Sequence, residues 1–582
     1  MTLALTIPTI DSETDCREQD ENLAVEQTAA DHLVAAMERF GIRTAFGVTG
    51  GAIGTIFDRL STSSIYVVQS QHEGAAAYAA MGRAMASDCR ELPVCFSTSG
   101  PGITNLLTGV AAAYEEGVPM LVLTGNSSSQ IRYAGALQDS SPGGIDAIRM
   151  FDSITVANRT LQRAEDLVPL FYRLAEASLR HKKPVHLNVP LDLSNVVLGS
   201  SYHHSMRIHR GALCSEDLKL LRRFLAAKRP VIFAGNGIKL SGCTFQLTNV
   251  ANFHRIPVVT TTHGRGSVSE YESCFFGTFG FASDGSGKEF LTAYAPDAIL
   301  FLGTGLGEMS TGGWSPLLGA PDLRIHVDLD PAKFNRKYTM YGVIENDLQA
   351  VLSYLSECTP SRTHFPVTPR ISMIVPRIGG NGSGNGVHPG NLFKSLSGRL
   401  DGKCAIFADI GNAIAWAFRD LELREEQKLF VPLGLSSMGS ALGAALGAAT
   451  FWKDRAVLCI CGDCAALMHG SELKTAAEYG IPLKVIVLND GGPGMVHHGS
   501  RMIGLNNSHL RFQTRVDFEG YAKALGLCSF QVRDNEEWSG STLELAMQQP
   551  VPTLLDIWID PAVEPPIADR ARVLGQTESR VG

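Results

Sequence analysis

The stretch Val457–Val496, VLCICGDCAALMHGSELKTAAEYGIPLKVIVLNDGGPGMV, constrains the fold of this chain more than any other. Two short apolar runs, VLCIC and LKVIVL, flank a helical segment that contains Leu473 and the Ala476-Ala477 pair, and Gly480 and Pro482 stop that helix. A strand–helix–strand unit makes its two strands parallel, so both carboxyl ends open on one edge of the sheet. Asp463 follows the first run and Asp490 the second, 27 residues later. Either aspartate alone reads equally well as a helix cap or turn residue. Together, flanked by Gly462 and by Gly491-Gly492, they suit a hard divalent cation that holds a diphosphate beside a helix N-terminus.

At 582 residues the chain is too long for one core. Strands and helices alternate in three blocks, and each block is expected to be an α/β doubly wound parallel sheet. The expected order is a disordered segment over 1–23, a first domain over 24–195 and a middle domain over 210–357. A Pro/Gly-rich linker over 358–388 and a third domain over 389–565 follow. A net charge of −8 speaks against nucleic acid or a membrane surface as partner. No apolar run reaches membrane length and the polar, acidic N-terminus has no signal-peptide core, so the expected location is the cytoplasm. Several of the 12 cysteines, such as Cys95 and Cys459, lie inside apolar runs, as buried free thiols do. Cys459, Cys461 and Cys464 are close, but two of them share a strand, which is not zinc-ligand spacing.

The Asp463–Asp490 stretch resembles the cofactor motif of the thiamine diphosphate-dependent enzymes, which begins Gly-Asp-Gly and ends Asn-Asn. This chain has Cys464 at the third position and Asp490 at the last. A carboxylate there keeps an oxygen ligand and adds a charge. The resemblance implies thiamine diphosphate and Mg²⁺ as cofactors, with the metal on Asp463, Asp490 and the Gly492 carbonyl. Upstream, HEGAAAYAAMGRA carries Glu73 and is similar to the family's catalytic-glutamate segment. By that resemblance Glu73 hydrogen-bonds the aminopyrimidine and favours the tautomer that takes the thiazolium proton. Thr98–Gly125, TSGPGITNLLTGVAAAYEEGVPMLVLTG, is similar to the next family stretch. The resemblance adds Gly411, Asn412, Ser436, Met438, Gly462, Cys464, Ala465 and Met495 to the cofactor contacts, with Met438 wedged under the cofactor. It covers nearly the whole chain. It also implies pyrimidine-binding, middle and diphosphate-binding domains, and a homodimer or tetramer whose sites bridge two subunits.

Within the family the chain looks most like the acetolactate synthases. GALQDSSPGGIDAIRMFDSITVANRT resembles their segment after the first domain's last strand, where Gln138 matches a polar residue at the reaction centre. GPGMV, Gly492–Val496, also matches. Those synthases carry a tryptophan three residues on, where this chain has Gly499 after His497 and His498 on the expected active-site loop. Either histidine is a candidate for proton transfer or a solvated loop residue. Gly305 and Met309 stand where arginines would neutralise a flavin diphosphate, so FAD is not expected. The resulting expectation is a carboligase. It decarboxylates a 2-oxo acid, pyruvate by default, and passes the acyl unit to a second acceptor. A decarboxylase releasing an aldehyde is the alternative, and a non-catalytic cofactor-binding subunit is a third reading.

Overall fold

A computed structural model of the chain describes residues 26–199, 211–360, 362–365, 385–424, 426–535, 537–538, 540–568 and 570. The N-terminal segment expected to be disordered and most of the expected linker lie outside these residues. The chain forms three six-stranded sheets in which all neighbouring strands run parallel. Three doubly wound parallel sheets are thus the observed fold class, as the alternating pattern implied.

The first sheet holds β1 (Thr44–Val48), β2 (Tyr66–Gln69), β3 (Val94–Ser97), β4 (Met120–Asn126), β5 (Ala157–Thr160) and β6 (Pro184–Pro190), in the order β2-β1-β3-β4-β6-β5. The second holds β7 (Pro230–Ala234), β8 (Val258–Thr261), β9 (Phe275–Phe279), β10 (Ala298–Leu302), β11 (Leu323–Asp328) and β12 (Gly342–Glu345), ordered β12-β11-β10-β7-β8-β9. The third holds β13 (Ala405–Ala408), β14 (Lys428–Phe430), β15 (Val457–Gly462), β16 (Leu483–Asn489), β17 (Cys528–Val532) and β18 (Thr553–Trp558), ordered β14-β13-β15-β16-β18-β17. The first and third sheets therefore share one topology, although no repeat is visible in the sequence. The segment containing Gln138 lies between β4 and β5. It precedes the last two strands of its sheet, contrary to the sequence expectation, because β5 is a short edge strand of mixed burial with little apolar signal.

Alternation along the strands explains why each sheet is covered on both faces. In β15, Val457, Cys459 and Cys461 enter one core while Leu458 and Ile460 enter another. The first of these cores also takes Phe46, Cys95, Met120 and Val122 from the first sheet, so the first and third sheets share one apolar layer. Two helices fill that layer. Glu73–Ala86 is buried at all its residues, as an Ala-rich, nearly all-apolar helix must be. Ser440–Phe451, SALGAALGAATF, crosses it at backbone contact. A Cβ on Gly82 would overlap the Ala444 carbonyl oxygen, and one on Gly447 would overlap the Ala79 carbonyl oxygen. The glycines of GSALGAALGAA thus set a helix–helix distance that no larger residue permits.

Candidate active site

The third sheet reverses its winding between β13 and β15, the crevice where open α/β sheets hold ligands. Asp463 opens the helix Asp463–His469 directly after β15. One oxygen accepts the N–H groups of Gly491 and Gly492, both at 2.8 Å, and the other accepts that of Cys464 at 2.7 Å. This locks the turn after β16 against the end of β15. Gly491 and Gly492 have φ of +81° and +150°, a region open to glycine and strained for other residues. Asp490 begins that turn, buried beside Asp463. Burial, and then the Asp463 charge, push its carboxyl up to about 7, against the pull of Arg511 and Arg515. Burial raises Asp463 as well, against the pull of its backbone donors. The expected single helix after β15 is two, Asp463–His469 and Glu472–Glu478, broken at Gly470-Ser471.

Other predicted residues converge on the same crevice. Gly411, φ +128°, precedes the helix Asn412–Asp420. The Asn412 amide nitrogen and an Asp490 oxygen both crowd Gly494, since a Cβ there would meet both. The Asn412 Oδ1 atom is buried with no hydrogen-bond partner among the described residues. Met438 packs on the core shared by the first and third sheets. Asp409, which sequence reasoning passed over, fixes it there. Its carboxylate accepts the N–H groups of Gly439 and Ala441, each at 2.8 Å. Ser436 stands two residues earlier at φ +60°, its hydroxyl donating to the Leu433 carbonyl at 2.7 Å. Gly462 ends β15, and Ala465 is buried in the same core as Met438. The Cys464 thiol is pushed up to about 12 by burial and Asp463, so it stays protonated. Met495 packs on the opposite core of the sheet.

The histidines differ from expectation. His497 and His498 lie in the helix Gly494–Met502, not in a loop. Pro493 stands at its N-cap, where a missing N–H is not needed, so a glycine- and proline-rich stretch still starts a helix. His498 is buried, its Nε2 lies 3.1 Å from the Pro561 carbonyl, and burial followed by His497 lowers it to about 4. His497 is partly exposed and also lowered, by burial and then by Arg511 and Arg501.

Glu73 is the first residue of its helix, and His72 caps that helix, its Nδ1 accepting the Gly74 N–H at 3.0 Å. Glu73 is 8% exposed and accepts a 2.9 Å hydrogen bond from the Asn105 amide. Among the described residues no hydrogen bond joins Glu73 to Asp463, Asp490 or Asn412 of the same chain. Gln138, at φ +55°, lies against Gly100 of the TSGPG turn, where a Cβ would come within 2.7 Å of the Gln138 Cβ. The residues that sequence reasoning missed tie Glu73 to the third sheet. The Glu472 carboxylate accepts the N–H groups of Gln71 and His72, both at 2.9 Å. The His469 ring lies 5.6 Å from His72 and 5.4 Å from Tyr78.

Chemically, Asp463, Asp490 and the Gly492 carbonyl are hard oxygen donors, with the Arg511 guanidinium 3.6 Å from Asp490. No group of three or more His, Cys, Asp or Glu side chains among the described residues forms a metal cage alone. A Mg²⁺-type ion sharing its shell with phosphate oxygens suits such an incomplete set. The Asn412 amide, a donor through its nitrogen, and the glycine-lined turn suit a bound diphosphate group as well. In the middle sheet, cations from elsewhere in the chain lie near Gly305 and Met309. Lys333 and Arg336 stand beside Gly305, and the Arg570 guanidinium contacts the Met309 sulfur at 3.0 Å. Among the described residues no helix is long and apolar enough to cross a membrane.

Three thiamine pyrophosphate enzyme profiles match the chain: the N-terminal TPP binding domain over residues 27–148, the central domain over 218–355 and the C-terminal TPP binding domain over 409–557. A putative acetolactate synthase large subunit of Mycobacterium tuberculosis is 30% identical over 554 residues, covering 93% of this chain and 99% of the relative. A probable acetolactate synthase large subunit of Methanocaldococcus jannaschii is 28% identical, with 92% of each chain covered. The acetolactate synthase isozyme 2 large subunit of Escherichia coli is 25% identical, with 91% of this chain and 95% of the relative covered. The chain belongs to the thiamine pyrophosphate-dependent enzymes and is acetolactate synthase-like within them.

Proposed function

We propose that this enzyme is a Mg²⁺-dependent carboligase that decarboxylates a 2-oxo acid, pyruvate first among them, and joins the acyl unit to a second carbonyl acceptor. The observation that carries this is the pair of buried carboxylates, Asp463 and Asp490, tied to one glycine turn at the switch point of the third sheet. When bound, thiamine diphosphate supplies a carbon that adds to the carbonyl and holds the electron pair left by decarboxylation. Asp463, Asp490 and the Gly492 carbonyl hold the metal, and Gly411, Asn412, Gly462 and Ala465 line the diphosphate. Met438, anchored through Asp409, fills the space beneath the rings. Glu73 holds a proton at the aminopyrimidine nitrogen, and Asn105 fixes its carboxylate for that contact. Gln138 faces the substrate from beside the TSGPG turn. His497 is the proton carrier, because His498 is tied to the Pro561 carbonyl and stays neutral.

The site is completed by a second copy of the chain. Leu467 and Met468, on the helix that begins with Asp463, are 50% and 54% exposed, and Leu137 beside Gln138 is 88% exposed. Apolar side chains around a cofactor crevice are what an interface between protomers covers. FAD is left out of the proposed cofactor set because the cations near Gly305 are engaged. Lys333 lies 3.5 Å from Asp328, Arg336 donates to the Ala332 carbonyl, and Arg570 packs on Met309 beside Glu308. Product analysis with pyruvate alone, and then with a second 2-oxo acid or an aldehyde, tests the reaction. A ligated hydroxy-ketone product supports the proposal, and free aldehyde as sole product replaces it with the decarboxylase reading.

A further inference from the structure

We infer that Arg511 and Arg515 are the built-in counter-charge of Asp490, and that they let a carboxylate serve at this position of the metal and diphosphate site. The inference rests on the proposed role of Asp463 and Asp490 in that site. Two buried carboxylates side by side repel each other and any phosphate, and a fixed cation against one of them removes that penalty. The segment 510–516 brings the cations. It straps the Asp490 turn at three points. The Arg511 Nη1 donates to the Asp490 backbone carbonyl at 2.8 Å, the Phe512 N–H donates to the Gly491 carbonyl at 2.9 Å, and the Asn489 amide donates to the Val516 carbonyl at 2.9 Å. The same Arg511 nitrogen lies 3.6 Å from the Asp490 Oδ2.

Arg515 approaches the turn at Gly491. A Cβ on Gly491 would stand 3.3 Å from its Cγ, so only glycine leaves that path open at van der Waals ease. Its guanidinium sits 5.0 Å over the Trp558 ring and feels the charges of both Asp490 and Asp463. Its Nη1 is buried with no hydrogen-bond partner among the described residues. Both guanidiniums are held from behind by carbonyls of one segment, Arg511 by Pro561 at 3.5 Å and Arg515 by Ile559 at 3.4 Å. A carboxylate with a guanidinium fixed against it carries no more net charge than an amide would in its place. The aspartate at the end of the cofactor motif and the two arginines some 20 residues later are therefore one unit.

A double-mutant cycle tests this without relying on turnover. Binding of thiamine diphosphate at saturating Mg²⁺ is measured by calorimetry, and melting of the cofactor-free protein is measured in chelator. The chains compared are the parent, Arg511→Met/Arg515→Met, Asp490→Asn and the triple variant. The arginine-free protein is expected to bind cofactor about tenfold more weakly and to melt earlier, and adding Asp490→Asn to it is expected to restore both. Arg511→Lys, which keeps the charge, is expected to stay near the parent, and guards against a purely steric effect. Additive losses in the triple variant would overturn the counter-charge and leave the metal-site reading standing, provided Asp463→Asn alone abolishes binding. Parent-like binding in Asp463→Asn would overturn both.

Discussion

Replacing Glu472 is the sharpest probe of how the third sheet holds Glu73. Glu472 is 1% exposed, and its carboxylate takes the N–H groups of Gln71 and His72 and the Thr475 hydroxyl, all at 2.9 Å. Gln71 and His72 immediately precede Glu73, and His72 caps its helix. Glu472→Ala strands three donors at a partly buried junction, which costs on the order of 3 kcal/mol. It also frees the first turn of the Glu73 helix, and a displacement of about 1 Å there lowers kcat roughly a hundredfold with little change in KM. Glu472→Gln keeps an oxygen for the two backbone donors and is expected to retain most activity. The two variants also separate in their pH dependence. Burial pushes the Glu472 carboxyl up from 4.5 to about 7. Between those values the folded protein keeps a proton that the unfolded chain releases, so this group's contribution to stability falls as pH rises. By pH 8 the loss reaches about 3 kcal/mol, and it is absent below pH 4.5. Thermal unfolding of cofactor-free parent and Glu472→Gln from pH 5 to 8 should therefore show the variant gaining on the parent with rising pH. Parallel curves, together with unchanged kcat in Glu472→Ala, would refute the reasoning.

Asp490→Ala should weaken thiamine diphosphate binding more than substrate binding, with partial rescue by raised Mg²⁺ in a titration, because mass action offsets a weaker site. Gly447→Ala should lower the melting temperature by separating two helices that touch at backbone distance, a cost of about 1–3 kcal/mol or more, readable by calorimetry. The purified protein should be colourless in the flavin band, and added FAD should not raise its melting temperature. A yellow protein with stoichiometric flavin would contradict that.

What the sequence discloses and what it hides divide along physical lines. Asp463 and Asp490 could be paired from their spacing because a strand–helix–strand unit forces both strand ends to one edge, and β15 and β16 are indeed neighbours. The three sheets were legible because their central strands are continuous apolar runs. The edge strands β5, β12, β14 and β17 carry mixed burial or only three to five residues, and so left little pattern. Glu472 stood in the most informative stretch of the chain, yet its partners are 400 and 401 residues away. No local period encodes such a contact. Arg511 and Arg515 belong to no motif, and only the fold lays their segment over the Asp490 turn. The cations beside Gly305 come from another loop of the middle sheet, so no single loop of the sequence displays them.

The central claim is that Glu73 activates a cofactor held by Asp463 and Asp490. Hydrogen–deuterium exchange at the thiazolium carbon of bound thiamine diphosphate, compared between the parent and Glu73→Gln, tests it most directly. Glu73→Gln is expected to bind the cofactor nearly as well as the parent, while its exchange slows by about two orders of magnitude or more, the scale of a lost general acid–base group. Exchange at the parent rate in Glu73→Gln would contradict it.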